Sequence, residues 1–341
     1  MMGMVDEYNL FPNDCFVVEG YNRSAIYDLS RSRIVPIPTS LTPYLRSKAK
    51  FNKLIAAPQN TIEQEYKEFL FSNEFVLCIP HSQKNSFKPI STEWITPFDI
   101  LIVQIEIETS VEFLEEVLIE LRTINIYKLQ LSILNPTASL IDQVAQLISG
   151  MDYNEIQILI NDVSFEDGVE ALSCKFPTID FAIFEMNASN TEFYQPNFTI
   201  GYSVFFESKE YNIGLNRTIK LDANGNVLLP YRATNLNIKS NSLNQILHAY
   251  KELWKAHKSK ISVCNVCEFR KACIDKRYPH SLVNSDYYYY ETECTYNPFI
   301  SKFSHEPKFR SLVEIGLHHN EIDYETSKAQ IELANEEVWN N

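Results

Sequence analysis

Four cysteines, Cys264, Cys267, Cys273 and Cys294, follow the spacing C-x2-C-x5-C-x20-C. The chain has 7 cysteines in all, and the other three, Cys15, Cys78 and Cys174, are scattered far upstream. A C-x2-C turn puts two sulfurs on one side of a tight loop, and two more cysteines complete a tetrahedral set. Four thiolates suit Zn2+ or an iron–sulfur cluster. Such a set leaves no coordination position free, so it predicts a structural or electron-transferring centre rather than one that activates water. The alternative, four reduced cysteines that bind nothing, fits poorly with such clustering in a cysteine-poor chain.

Other chemistries find few residues. There is no HExxH, no GxSxG and no CxxC beside a thioredoxin-like pattern. With only 8 glycines and no glycine-rich phosphate loop, nothing marks a nucleotide site. His318 and His319 are adjacent, so on a helix they point apart and chelate poorly. Cys174 has no visible base to activate it, and Cys15 and Cys78 read as small core residues. No catalytic residue is therefore assigned, and the balance is against an enzyme.

Charge and hydropathy narrow the partners. A net charge of −14 is wrong for a general nucleic-acid binder. No apolar run reaches about 18 residues, so no membrane span is expected. The start, Met1 to Glu7, lacks the basic-then-apolar order of a signal peptide. A cytoplasmic location follows as an expectation, and a reducing compartment favours metal ligation over disulfides.

The elements that must position the cysteines come next. Ser242-x-x-Gln245 is a capping box, and Leu243, Ile246, Leu247, Tyr250, Leu253 and Trp254 form one helical face leading to Cys264. His257, at the end of that face, reads as a packed or capping residue rather than a ligand. Upstream, Thr218–Asp222 and Val227–Leu229 flank Ala223-Asn224-Gly225-Asn226, a hairpin signal. The Tyr287–Tyr290 run reads as cover for the metal site, and the acidic tail from about 320 to 339 as a helix with a solvated face.

The middle of the chain alternates. Strands over 100–107, 129–134, 156–160 and 181–184, with a possible fifth at 202–206, are separated by helical stretches opened by Thr109-x-x-Glu112 and Ser139-x-x-Asp142. The continuous apolar run of 100–107 reads as a buried parallel strand, and the alternation as βα units in a partial barrel or a doubly wound sheet. Residues 82–97 read as a linker. At the N-terminus, 14–38 reads as a small antiparallel meander, with Pro36 and Pro38 fitting an edge strand. Helices near 41–45 and 61–71, the latter capped by Thr61, and a strand at 75–79 complete a small winged-helix-like module. Such a module can take up an extended peptide as an added strand, and Ile34, Val35 and Ile37 are the candidate peptide-binding residues. The fold class is thus α/β in three parts: a peptide-recognition module over 1–95, an α/β half barrel over 96–215 and a metal-binding domain over 216–341.

The hairpin, the helix ending in Trp254, the run Cys264-x2-Cys267-Glu268-Phe269-Arg270-x2-Cys273-Ile274-Asp275 and the closing Cys294-Thr295-Tyr296-Asn297-Pro298 resemble the SPASM domain of radical-SAM peptide-modifying enzymes. The likeness is nearest to the SPASM-domain peptide maturase of bacterial grasp-with-spasm cassettes, which the N-terminal Asn13–Ser24 and Tyr27–Arg31 also resemble. In that family the positions of Cys264, Cys267, Cys273 and Cys294 hold an auxiliary 4Fe-4S cluster. The cassettes pair the protein with an ATP-grasp ligase and a short precursor peptide.

The departures matter equally. The family's second cluster lacks ligands here: Lys276 stands where one is expected, and no cysteine occurs over 175–263. No CxxxCxxC exists anywhere, so residues 98–215 read as a degenerate radical-SAM-like half barrel, and no S-adenosylmethionine is expected. The resemblance implies an accessory maturation protein for a ribosomally synthesised peptide, binding the precursor and cooperating with an ATP-grasp ligase. One 4Fe-4S cluster, or alternatively one Zn2+, would occupy the cysteines. The other readings are a peptide-modifying metalloenzyme using the auxiliary cluster and a zinc-stapled interaction protein.

Overall fold

β-branched and aromatic residues between turn residues build the first elements of the computed structural model, which describes residues 7–46, 53–54, 60–80, 83, 86, 90–184, 193–229 and 236–339. Strand β1 (Glu7–Phe11) is followed by β2 (Cys15–Glu19), β3 (Arg23–Asp28) and β4 (Arg33–Pro38). β2, β3 and β4 form an antiparallel sheet with Val17, Ile26 and Val35 in register. Side chains alternate between its faces. Ile26 and Ile37 enter a core with Phe11, Leu41, Leu70 and Phe75. Ala25 and Tyr27 enter another with Phe205 and Phe206. β4 is an edge strand, as its prolines require.

Helix α1 (Leu41–Arg46), the short β5 (Lys53–Leu54), helix α2 (Thr61–Ser72) and β6 (Leu77–Pro80) follow, with β1 pairing antiparallel to both β5 and β6. The cap of α2 is Asn60, whose side chain accepts from the Glu63 amide, and Thr61 is already helical. Cys78, expected in the core, is exposed, whereas Cys15 is buried. Of the linker expected over 82–97, residues 90–97 carry no helix or strand, and 82, 84–85 and 87–89 lie outside the described residues. The segment Met1–Asp6, part of the stretch read for a signal peptide, also lies outside them.

A five-stranded parallel sheet makes the mixed α/β middle. It contains β7 (Ile100–Ile107), β8 (Ile126–Ile133), β9 (Glu155–Ile160), β10 (Asp180–Ile183) and the strand Thr218–Leu221, which lies beside β7. Helices α3 (Glu112–Leu121), α4 (Ala138–Ile148) and α5 (Glu166–Lys175) connect β7 to β8 to β9 to β10. Each step moves to the next neighbour in one direction, so right-handed crossovers place all three helices on one face. The sheet is singly wound, not doubly wound. Burial agrees: Val103, Ile105, Leu129, Leu131, Ile156 and Ile158 are buried, whereas the alternate residues are half-buried. β7 is therefore buried on one face only, which corrects the reading of its apolar run. The other face carries a row of linked side chains: Gln104 donates to Gln130, Gln130 to Gln157 (2.6 Å) and Gln157 to Asp180 (2.6 Å).

Two further capping expectations fail locally. α3 has no side-chain cap at Val111, and α4 is capped by Thr137 rather than Ser139. The Ser242–Gln245 box does form, with Ser242 N donating to Gln245 Oε1 at 2.9 Å. The Asn224-Gly225 turn also forms, with Gly225 at φ 82°, but among the described residues its downstream arm joins the upstream one through an isolated bridge, Leu221 to Val227, rather than a strand ladder. Thr218–Leu221 spends its other edge on β7. Residues 202–206, the possible fifth strand, lie in a helix (Tyr202–Glu207) that buries Phe205 and Phe206. Short aromatic runs do not distinguish the two by period.

Contacts divide the chain into two units rather than three successive domains. One is Met1–Trp94, Glu192–Gly214 and Ala256–Asn341; the other is Ile95–Thr191 and Leu215–Lys255. The N-terminal meander and the cysteine segment, expected in separate domains, thus share a unit. The tail helix Lys328–Trp339 also belongs to it, burying Ile331, Ala334 and Val338 against Phe299, Ile300 and Leu317, so its face is docked rather than solvated. Among the described residues no helix is long and apolar enough to cross a membrane.

Candidate metal centre

The cysteine loop is built by local hydrogen bonds. Val263 adopts a left-handed backbone (φ 65°), uncommon for a β-branched residue, and the Tyr324 hydroxyl accepts from its amide at 2.8 Å. Cys264 to Val266 form one 3-10 turn, and Cys267 N donates to Cys264 O at 3.1 Å. Phe269 O then accepts from the amides of Ala272 (3.0 Å) and Cys273 (3.1 Å), turning the chain back. Cys273 lies on a two-residue strand antiparallel to Asn197–Phe198, and Cys294 on one parallel to Phe193–Tyr194. Residues 193–198 therefore hold the third and fourth cysteines in place. No sequence signal marked them, because two-residue strands have no period to read.

All four cysteines line one cavity of about 30 Å³, with Phe198, Val263 and Pro298 among its apolar walls. That is about twice the room one water needs. Among the described residues, no three His, Cys, Asp or Glu side chains are drawn together to the reach of a single metal ion. Burial pushes the Cys267 thiol well up, Cys273 to about 12 and Cys294 to about 11. They are poor nucleophiles in this state, and a metal binding them would displace their protons.

Cations surround the same cavity: Lys258, Arg270 and Arg277 line it. Lys258 Nζ lies 3.9 Å from Cys264 Sγ and 2.6 Å from Asp275 Oδ2. Arg277 donates to both oxygens of Asp275, from Nε at 3.0 Å and Nη2 at 2.6 Å. Its guanidinium sits 4.0 Å from the Tyr290 ring centre and 4.2 Å from that of Tyr194. Burial alone would raise Asp275, but Lys258 and Arg277 hold it at about 2. Arg270 donates to the carbonyls of Cys267 (2.8 Å) and Glu19, while its buried Nε has no hydrogen-bond partner among the described residues. Three cations against the Asp275 carboxylate leave an excess of positive charge. A divalent zinc or an oxidised 4Fe-4S core held by four thiolates carries roughly two net negative charges. The donor set and its charged surroundings thus fit a metal–thiolate group.

The tip of the β2–β3 hairpin packs on this loop. Tyr21 N donates to Val266 O at 2.8 Å, and the Tyr27 hydroxyl to Glu268 O at 2.7 Å. Glu268 is fully buried and accepts from Arg23 Nε at 2.5 Å and from the Tyr296 hydroxyl. A Cβ on Gly20 would lie 2.4 Å from Arg23 O and 3.0 Å from Glu268 N, so glycine permits the approach.

The three residues singled out for peptide contact are placed differently from one another. Ile37 is buried in the core with Leu41 and Leu70, and Val35 packs against that same cluster. Ile34 packs on the other face with Tyr27 and Phe205. Their side chains serve the fold, and what β4 offers a partner is its backbone edge. Cys174 is exposed on α5, away from any role here. No protein-family model, no curated protein and no solved structure matches this chain.

Proposed function

We propose that this chain is an accessory maturation protein for a ribosomally synthesised peptide, holding one metal–thiolate centre and serving an ATP-grasp ligase that forms the bonds. The observation carrying the metal reading is the single cavity shared by Cys264, Cys267, Cys273 and Cys294 with three cations around it. The likeness of these four positions to the auxiliary-cluster positions of the grasp-with-spasm family favours an iron–sulfur group over one zinc. Bound there, the group would supply a rigid staple with the capacity to store an electron. The remaining work falls to the chain's own residues. Lys258 and Arg277 oppose the thiolate charge, the apolar walls exclude water, and Glu268 ties the loop to the N-terminal hairpin.

The likeness to grasp-with-spasm maturases supports the peptide half of the reading, with residues 14–38 as a winged-helix-like recognition sheet. The precursor would add along β4. Pairing of β4 with β3 directs the backbone groups of Arg33, Val35 and Ile37 inward if Pro36 and Pro38 face out, as proline's missing donor requires. The free edge then presents the Ile34 amide and the carbonyls of residues 34, 36 and 38. Few donors face outward, which guards against indiscriminate strand pairing and favours a partner bringing its own.

Anaerobic purification with iron, sulfide and zinc assays and a visible spectrum tests the metal reading. About four iron and four sulfide per chain are expected, and Cys267→Ser or Cys273→Ser should abolish them. One zinc in a colourless protein would instead favour the zinc-stapled interaction protein. Titration with the short peptide encoded beside an ATP-grasp ligase tests the other half. An Ile34→Pro variant that retains full affinity would remove β4 from the recognition site.

A further inference from the structure

We infer that Lys258, Asp275 and Arg277 form a buried charge set that governs how tightly the cysteine centre holds its metal and, for an iron–sulfur group, where its reduction potential lies. This rests on the metal reading above. The three side chains sit at a position the cysteine spacing does not predict, and burial makes them unusual. Lys258 is 4% exposed and Asp275 not at all. One carboxylate faces two cations, both within 2.6 Å of Asp275 Oδ2. A buried ion pair is seldom stabilising in itself, and a buried surplus of charge is costly. The surplus here is positive, and it faces sulfur: Lys258 Nζ stands 3.9 Å from Cys264 Sγ, and Arg277 lines the cavity with it. Metal thiolates supply the missing negative charge.

The set is also held rigidly. The Arg277 amide donates to Asp275 Oδ1 at 3.0 Å, and the ring centres of Tyr290 and Tyr194 lie 4.0 and 4.2 Å from its guanidinium. Tyr290 lies under Lys258 as well, at 4.9 Å. Gly214 lets the backbone pass against Asp275, since a Cβ there would come within 1.9 Å of Asp275 O. Fixed charges near a redox group act through the field they place on it. A cation stabilises the more negative, reduced state, and a carboxylate does the reverse.

Two variants of the full-length protein test the sign. Lys258→Met removes a positive charge at similar length. Asp275→Asn removes the negative one, and its amide oxygen still accepts from Lys258 and Arg277. Each is loaded anaerobically, and metal release to a chelator is timed, a readout that serves iron and zinc alike. Lys258→Met is expected to lose metal more than about tenfold faster, in keeping with the cost of unbalancing buried charge, and Asp275→Asn more slowly than the wild type. The midpoint of an iron–sulfur centre should move negative in the first and positive in the second. A purely structural role would hasten release in both and would not move the midpoints apart. If the wild type holds metal while the two variants shift together or not at all, the charge inference falls and the metal reading stands. A wild type that binds neither iron nor zinc overturns both.

Discussion

His257 is half-buried just before Lys258, and its Nδ1 has no hydrogen-bond partner among the described residues. Burial, helped by Lys271 and Lys260, pushes its pKa from 6.5 down to about 4. The unfolded chain therefore takes up a proton at this site more readily than the folded one between those values. The stability this neutral imidazole contributes is fully present above about pH 6.5 and is lost as the pH falls toward about 4. Thermal melts across that range should show the loss, and His257→Gln should flatten that part of the profile; an unchanged slope would refute the assignment. Other decisive residues hide equally well in the sequence. Asp275 enters the sequence reading only as the end of the cysteine run, and nothing in the sequence singles out Arg277 or Lys258. Their burial depends on where Tyr194, Tyr290 and Gly214 come to lie, and no local pattern encodes that. The clustering of the cysteines, in contrast, was legible because thiols are scarce and spacing is a local property of the chain.

Among the elements, the tail helix illustrates how an acidic surface pattern conceals a docked stripe. Ile331 is fully buried against Phe299 and its neighbours, the Asn335 side chain donates to Phe299 O at 2.8 Å, and Trp339 Nε1 donates to Ile300 O at 3.1 Å. Ile331→Ala should cost about 2 to 5 kcal/mol by the usual penalty for a buried aliphatic truncation. Denaturant unfolding measures it, and a change well below 1 kcal/mol would mean the helix is not docked. Three buried apolar positions suffice to anchor a helix whose other half is polar, so its average composition was a poor guide. Helix starts were similarly approximate. Thr61, Thr109 and Ser139 carried the right chemistry for caps, but Asn60 and Thr137 take the role in α2 and α4, each one or two residues upstream. A cap is fixed by where the first helical residue falls, and packing sets that register.

For the whole molecule, the two units predict separable behaviour. The four-cysteine cavity lies wholly within the unit that contains the N-terminal meander, whose residues 19–27 bond directly to residues 266–270. Removing the metal under anaerobic conditions should therefore lower the unfolding transition of that unit, meander included, while the transition of the parallel-sheet unit stays in place. Calorimetry with and without chelator checks this. A meander that keeps its hydrogen-exchange protection after metal loss would contradict the coupling.

The amino-acid sequence alone determined the clustering of the four cysteines, the α/β class, the antiparallel meander and most strands of the parallel sheet. Each follows from short-range spacing or from periodicity of apolar residues, which the chain carries wherever it goes. Only the tertiary structure decided that one face of the parallel sheet is polar, and that residues 193–198 brace Cys273 and Cys294. It alone set a buried cation set beside the thiols and joined the N-terminal hairpin to the cysteine loop. Those features arise from contacts between residues far apart in sequence, where burial and hydrogen-bond satisfaction, rather than local propensity, select the partner.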